Sequence, residues 1–74
     1  MDYRAFYAEI ANWVYQCNAM NAKHGMDSAD FWKWVMDSSR AICEKYNNNS
    51  LVTGQMVFLY LWLEDVYGQM RTGT

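Results

Sequence analysis

The chain has 74 residues, of which 53% are hydrophobic and 18% aromatic, and it contains no proline. This composition excludes a disordered tail, and the absence of proline favours helices. The formal net charge is −2, and the six basic residues are spread singly along the chain, which argues against nucleic-acid binding. We expect one helical domain spanning residues 1–74. A domain of this size buries only about 60% of the surface of its unfolded chain, so a partner surface would add to its stability.

The sequence contains no candidate signal or membrane segment. The N-terminal stretch MDYRAFYAEI has no basic segment leading into an apolar core, which a secretory signal requires. The longest apolar run, MVFLYLWL, has eight residues, whereas a membrane span needs about 20. We therefore expect a cytoplasmic protein without membrane contact.

The first predicted helix spans residues 2–24. Asp2 is a suitable N-cap, and Gly25 follows Lys23 and His24 as a stop signal. One apolar stripe with alternating spacings of four and three residues predicts the buried face of this helix. Its members are Phe6, Ile10, Trp13, Cys17 and Met20.

The second predicted helix spans residues 28–46 and begins at a cap supplied by Asp27 or Ser28. Its expected buried side consists of Phe31, Trp32, Val35, Met36, Ile42, Cys43 and Tyr46. The opposite side alternates in charge, as solvated helix faces do, through Asp30, Lys33, Asp37, Arg40 and Glu44.

Trp34 belongs to neither side of the second helix. A tryptophan with a charged rim is typical of an interaction hot spot, so we predict that Trp34 is an exposed anchor for a partner. The alternative is that its ring packs over the stem of Lys45 or against a chain end.

The third predicted helix spans residues 50–70 and follows the linker NNNS, in which Asn49 or Ser50 can act as the cap. Its expected buried stripe consists of Val52, Met56, Leu59, Leu63, Val66 and Met70. A strand is the rival interpretation of MVFLYLWL, but the chain offers no convincing second strand to pair with it. We therefore predict an all-α fold, a compact three-helix bundle.

The third helix also has apolar side chains on its far side, away from the buried stripe. Val57, Phe58 and Leu61 project there, Trp62 lies at one edge, and Asp65 marks the solvent boundary. A helix of a small bundle needs an apolar arc of little more than about 100°. These residues and Trp34 are the predicted partner-binding residues. The alternative is that the third helix sits in a groove between the other two and buries this side internally.

Two glycines lie on the same far side, at positions 54 and 68. Glycine inside a helix costs about 0.5–1 kcal/mol relative to alanine, so their presence favours close approach by another chain. The predicted partner is another protein, either a host complex or a second copy in a homodimer.

No residue pattern indicates catalysis. His24 is the single histidine, so any mechanism that uses a histidine base would depend on it, and its position at a helix end suits capping. His24, Asp27 and Asp30 lack the thiolate or fourth ligand of a zinc site. Glu64 and Asp65 point about 100° apart on a helix and cannot act as a paired acid and base. We expect no enzyme, cofactor or metal.

Cys17 and Cys43 are predicted to be buried free thiols. In an antiparallel hairpin of the first two helices their axial offset would be about 13 Å, well beyond the limit of about 7 Å between the Cα atoms of a disulfide.

In size and composition the chain resembles the small orphan proteins encoded by bacteriophages and mobile elements, a class that includes anti-CRISPR proteins. The resemblance covers the whole chain without matching a motif, so it transfers no functional residue. It implies a non-catalytic inhibitor that binds a host protein complex and blocks it by occupying a surface. A net charge of −2 does not fit the DNA-mimic variety of this class. The alternative function is a structural or assembly subunit, such as a small virion or scaffold component.

Overall fold

The structure, a computed structural model, describes the backbone of residues 1–72 and the side chains of residues 1–69. Three helices form in chain order, α1 (Tyr3–His24), α2 (Ala29–Lys45) and α3 (Ser50–Thr72), and no strand forms within residues 1–72. The predicted all-α, three-helix fold class is confirmed, and the strand interpretation of MVFLYLWL is wrong. In this part of the chain, none of the helices combines the length and apolar character that crossing a membrane requires.

The chain divides into two compact units, Met1–Trp32 and Lys33–Thr74. The first unit contains α1 and the first turn of α2, and the second contains the rest of α2 together with α3. The boundary falls inside a continuous helix, so it is not a linker. The expectation of one domain over residues 1–74 stays a prediction.

The ends of α1 follow the local signals in the sequence. Asp2 is the N-cap, and its Oδ1 accepts a hydrogen bond of 3.1 Å from the Ala5 N–H. Gly25 ends the helix with a φ of +80°, and its N–H donates to the Asn21 carbonyl over 2.8 Å. A left-handed φ of this kind is accessible to glycine without steric cost, so both predicted ends are confirmed to within one residue.

A short turn connects α1 to α2. The Ser28 Oγ accepts a hydrogen bond of 3.1 Å from the Asp30 N–H, so Ser28 rather than Asp27 caps α2. The Trp32 Nε1–H donates to the Met26 carbonyl over 2.7 Å, which ties the turn to the first turn of the helix. Met26 is itself buried. Its burial is not predictable from the sequence, because a turn residue has no periodic neighbours to reveal it.

The asparagine linker connects α2 to α3. Asn47 and Asn48 both have positive φ values, 55° and 56°, in a region that asparagine tolerates better than most residues. The Asn49 Oδ1 accepts a hydrogen bond of 2.9 Å from the Leu51 N–H, so Asn49 rather than Ser50 caps α3. The helix ends two residues beyond the predicted position 70.

The buried stripes of α1 and α3 are those that the four-three spacing predicts. The buried residues of α1 are Phe6, Ile10, Trp13 and Cys17, and those of α3 are Val52, Met56, Leu59 and Leu63. Each stripe becomes less buried towards the end of its helix, since Met20 and Val66 are half-buried. Met70, the last predicted member, lies outside the described side chains.

The α2 stripe was predicted too broadly. Phe31 and Val35 are fully buried, but Met36 is 51% exposed and Cys43 is half-buried. The prediction that Met36 belongs to the core is therefore wrong, as is the prediction that both thiols are buried. A helical period assigns a side of the helix, but it does not say how wide an arc the neighbouring helices cover.

Candidate functional site

Four adjacent apolar side chains of α3 are exposed. Val57 is 58% exposed, Phe58 65%, Leu61 57% and Trp62 40%. We call these four residues the α3 patch. Their exposure shows that the described residues of the chain do not cover this side of the helix, so the alternative of internal burial is wrong.

The position of the α3 patch follows from helical geometry. At about 100° per residue, the four side chains span an arc of about 140° on the side opposite the buried stripe. The run MVFLYLWL has no polar residue, so whichever arc faces the core, the opposite arc must also be apolar. Met56, Leu59 and Leu63 fill the buried arc, and the patch occupies the rest.

Gly54 and Gly68 lie on the same side of α3 as the patch, and both are exposed. A Cβ atom added at either position would meet nothing within 4 Å. Internal packing therefore gives no reason for a glycine at either position, and the space above both is open.

Acidic side chains border the patch towards the C-terminal end of α3. Glu64 and Asp65 are both exposed. The Asp65 Oδ2 accepts a hydrogen bond of 3.1 Å from the Gln69 Nε2, which holds this carboxylate along the helix surface. The apolar patch thus has a negative edge, as predicted for Asp65.

The second unit contains an open groove of about 480 Å³ between α2 and α3. Its lining residues are Met36, Ser39, Arg40, Cys43, Thr53, Met56, Val57 and Tyr60. Val57 belongs both to this groove and to the α3 patch, so the patch continues into the groove. The groove is not predictable from the helical periodicity, because it forms where Met36, which was expected in the core, stays exposed.

Arg40 brings a positive charge to the groove. Its side chain is exposed, and within the described part of the chain it forms no ion pair. Lys33, on the same face of α2, instead pairs with Asp37 over 3.2 Å. Like Arg40, the Glu64 side chain forms no ion pair or hydrogen bond with the described residues. Among the described residues, the groove and the border of the patch therefore carry one available charge of each sign.

Trp34 is half-buried, so its predicted role as a freely exposed anchor needs correction. Its carbonyl accepts a hydrogen bond of 2.7 Å from the Ser38 Oγ. The alternative placed the Trp34 ring over the stem of Lys45, and the amino group of that lysine lies 5.7 Å from the centre of the Tyr46 ring. A half-buried ring offers a partner less surface than the side chains of the α3 patch do. Whether Trp34 contacts a partner stays a prediction.

Some of the groups considered for chemistry lie close to the patch, since Glu64 and Asp65 border it and Cys43 lines the adjoining groove. The described residues contain no group of three histidine, cysteine or acidic side chains placed to hold a metal ion. Cys17 and Cys43 are both free thiols, as predicted. Burial raises the pKa of the Cys17 thiol, which keeps it protonated and unreactive.

Comparison of the chain with family models, with curated protein sequences and with solved structures finds no match.

Proposed function

We propose that this protein is a non-catalytic protein-binding module and that the α3 patch is its binding surface. The observation that carries the proposal is the adjacency of four large, exposed apolar side chains on one side of one helix. Single exposed apolar residues are common on protein surfaces, whereas contiguous apolar patches with a polar edge mark interaction sites. Glu64 and Asp65 supply such an edge.

The free energy available at this surface supports binding. Full burial of a valine, leucine or phenylalanine side chain is worth about 1.5–3 kcal/mol. More than half of Val57, Phe58 and Leu61 is exposed, so covering all three recovers roughly 3–5 kcal/mol. This sum is a large fraction of the 5–15 kcal/mol that typically stabilises a domain.

We further propose that the protein forms a homodimer, acts in the cytoplasm and serves as an inhibitor that occupies the surface of a host protein complex. The inhibitor role rests on the resemblance in size and composition to anti-CRISPR and related phage proteins. A structural or assembly subunit, the competing role, would use the same patch but would build larger homo-oligomers. The mass of the assembly in solution separates these roles.

The test is light scattering after size exclusion on three proteins. The first is the wild type, and the second carries Phe58→Glu and Leu61→Lys, which place two charges in the patch. The control carries Tyr15→Glu and Ala19→Lys, the same two charges at exposed positions of α1.

We expect a dimeric wild type, a monomeric but folded patch variant, and a dimeric control. Circular dichroism would verify folding of the variants. Unfolding of the patch variant would show that the patch belongs to the core and would contradict the proposal. A wild type that remains monomeric at high micromolar concentration would refute self-association and assign the patch to a foreign partner.

A further inference from the structure

Resting on the proposed function, we propose that the α3 patch binds a second copy of this chain in one defined register. The two α3 helices run antiparallel about a two-fold axis at position 59, and Glu64 of each copy pairs with Arg40 of the other. The charges and spacings along α3 support this register.

The first argument for this register concerns the edge of α3 that borders the groove, which we call the groove edge. Thr53, Val57 and Tyr60 line the groove, and Glu64 continues the same row at the same four-three-four spacing, so it lies on the same edge of the helix. Arg40 lines the groove from the α2 side. The available acid and the available base therefore lie at the same edge of the patch.

Antiparallel pairing about position 59 brings the groove edges of the two copies together. Val57 of one copy then faces Leu61 of the other, twice by symmetry, which covers the centre of the patch with apolar contacts. Glu64 of one copy faces Gly54 of the other, where the space for a Cβ is open. The Phe58 rings of the two copies lie near the axis, on the side away from the groove, and are offset from each other by about 3 Å along the helix.

Arg40 completes the pairing. A two-fold axis perpendicular to two stacked helices keeps their edges matched, so the groove edge of one copy meets the groove edge of the other. Glu64 of the second copy thus arrives over Gly54 and beside Thr53, which shares the groove with Arg40. Neither charge has an ion-pair partner among the described residues of its own chain.

Two other registers fail on charge. The glycines and Leu61 are spaced by seven residues, which suggests an antiparallel pair centred on Leu61. That register would place Asp65 against Val57 and Glu64 against Phe58, and so would desolvate carboxylates against apolar side chains. A parallel pair would place Asp65, which lies near the centre line of the patch, against Asp65 of the second copy, a like-charge contact that disfavours association.

Charge reversal tests the register. Arg40→Glu and Glu64→Arg alone each create two like-charge contacts in a homodimer, so we expect each variant to dimerise about tenfold more weakly than the wild type. An equimolar mixture of the two variants should recover the wild-type affinity. In the mixed dimer, both contacts again join opposite charges. Sedimentation equilibrium of each variant and of the mixture measures the three dissociation constants.

The matched control mixes Arg40→Glu with Asp65→Arg. Asp65→Arg makes the same charge change one residue away, about 100° around the helix from Glu64 and off the groove edge. The mixed dimer of these two variants retains one like-charge contact, between the substituted position 40 and Glu64 of the other copy, so its affinity should stay below that of the wild type. Recovery in both mixtures would show a general charge effect and overturn the register. A wild-type dimer without recovery in the first mixture would also overturn the register, while the patch would remain the proposed binding surface. A monomeric wild type would overturn this inference and leave the patch to a foreign partner.

Discussion

Helices α1 and α3 have similar lengths and the same buried pattern, yet their outer faces differ. Each buries a row of side chains spaced by four and three residues. The outer face of α1 exposes small alanines and the amphipathic ring of Tyr15, whereas the outer face of α3 exposes Val57, Phe58 and Leu61. The buried rows account for the fold, and the outer face of α3 is where an interaction surface is expected.

The exposure of two phenylalanines shows this difference between the helices. Phe6 of α1 is fully buried, while Phe58 of α3 is 65% exposed. The same side chain therefore contributes to folding in one helix and is available for association in the other.

The largest effect is expected from truncating the buried ring. Phe6→Ala should lower the free energy of unfolding by about 3–5 kcal/mol, because it removes buried contacts and leaves a cavity. Phe58→Ala should leave the stability of the monomer nearly unchanged and weaken the dimer. Urea denaturation at low protein concentration, where the dimer is dissociated, compares the two variants. Equal losses of stability would show that the two helices do not differ in this way.

Trp34 gives an intermediate case between a core and a surface residue. From the sequence, Trp34→Ala should leave stability almost unchanged, but the half-buried ring leads us to expect a loss of about 1–2 kcal/mol, less than half the cost at a fully buried site. Thermal unfolding measures this loss. A melting temperature equal to that of the wild type would return Trp34 to the role of exposed anchor.

The caps of α3 provide a smaller effect with an internal control. Asn49→Ala should cost about 1 kcal/mol, because the Leu51 N–H loses its acceptor. Ser50→Ala, at the neighbouring position that the sequence could not separate from Asn49, should cost less. Urea denaturation of the two variants ranks them, and the reverse order would assign the cap to Ser50.

The smallest expected effect concerns the buried thiol of Cys17. Burial raises the pKa of Cys17 in the folded protein above its ordinary value of 9.0, so the folded state holds this proton more tightly than the unfolded state does. Its contribution to stability is complete below about pH 9 and is lost as the pH rises through the folded pKa. Unfolding free energies of the wild type and Cys17→Ala between pH 8 and pH 10 should therefore fall more steeply for the wild type. Parallel slopes would contradict this account.

The sequence was sufficient for the helices and for most of the core. Periodic rows and short-range caps such as Asp2 and Gly25 depend on neighbours within a few residues, so a single sequence reveals them. It was not sufficient for residues whose environment is set by other helices. The exposure of Met36, the partial burial of Trp34 and the groove around Arg40 depend on how wide an arc each helix covers, which periodicity does not specify.

The α3 patch was foreseen for a simple reason. A run of eight apolar residues must place some of them away from any single core, so Val57, Phe58 and Leu61 stood out by their number alone. The proposed role of Glu64 did not stand out in the sequence. An acid at the end of an apolar run is usually interpreted as a solubilising residue, and the sequence does not show which residues lie across the groove from it.

The central claim is that the outer face of α3 becomes covered by another protein chain, first of all by a second copy. Methyl NMR spectra of the unmodified protein, recorded from low micromolar to near millimolar concentration, test this most directly. We predict that the Val57 and Leu61 methyl signals shift with concentration while the Val52 methyl signals, from a fully buried residue of the same helix, stay in place. Val57 and Leu61 signals that remain constant over the whole range would contradict self-association through this face.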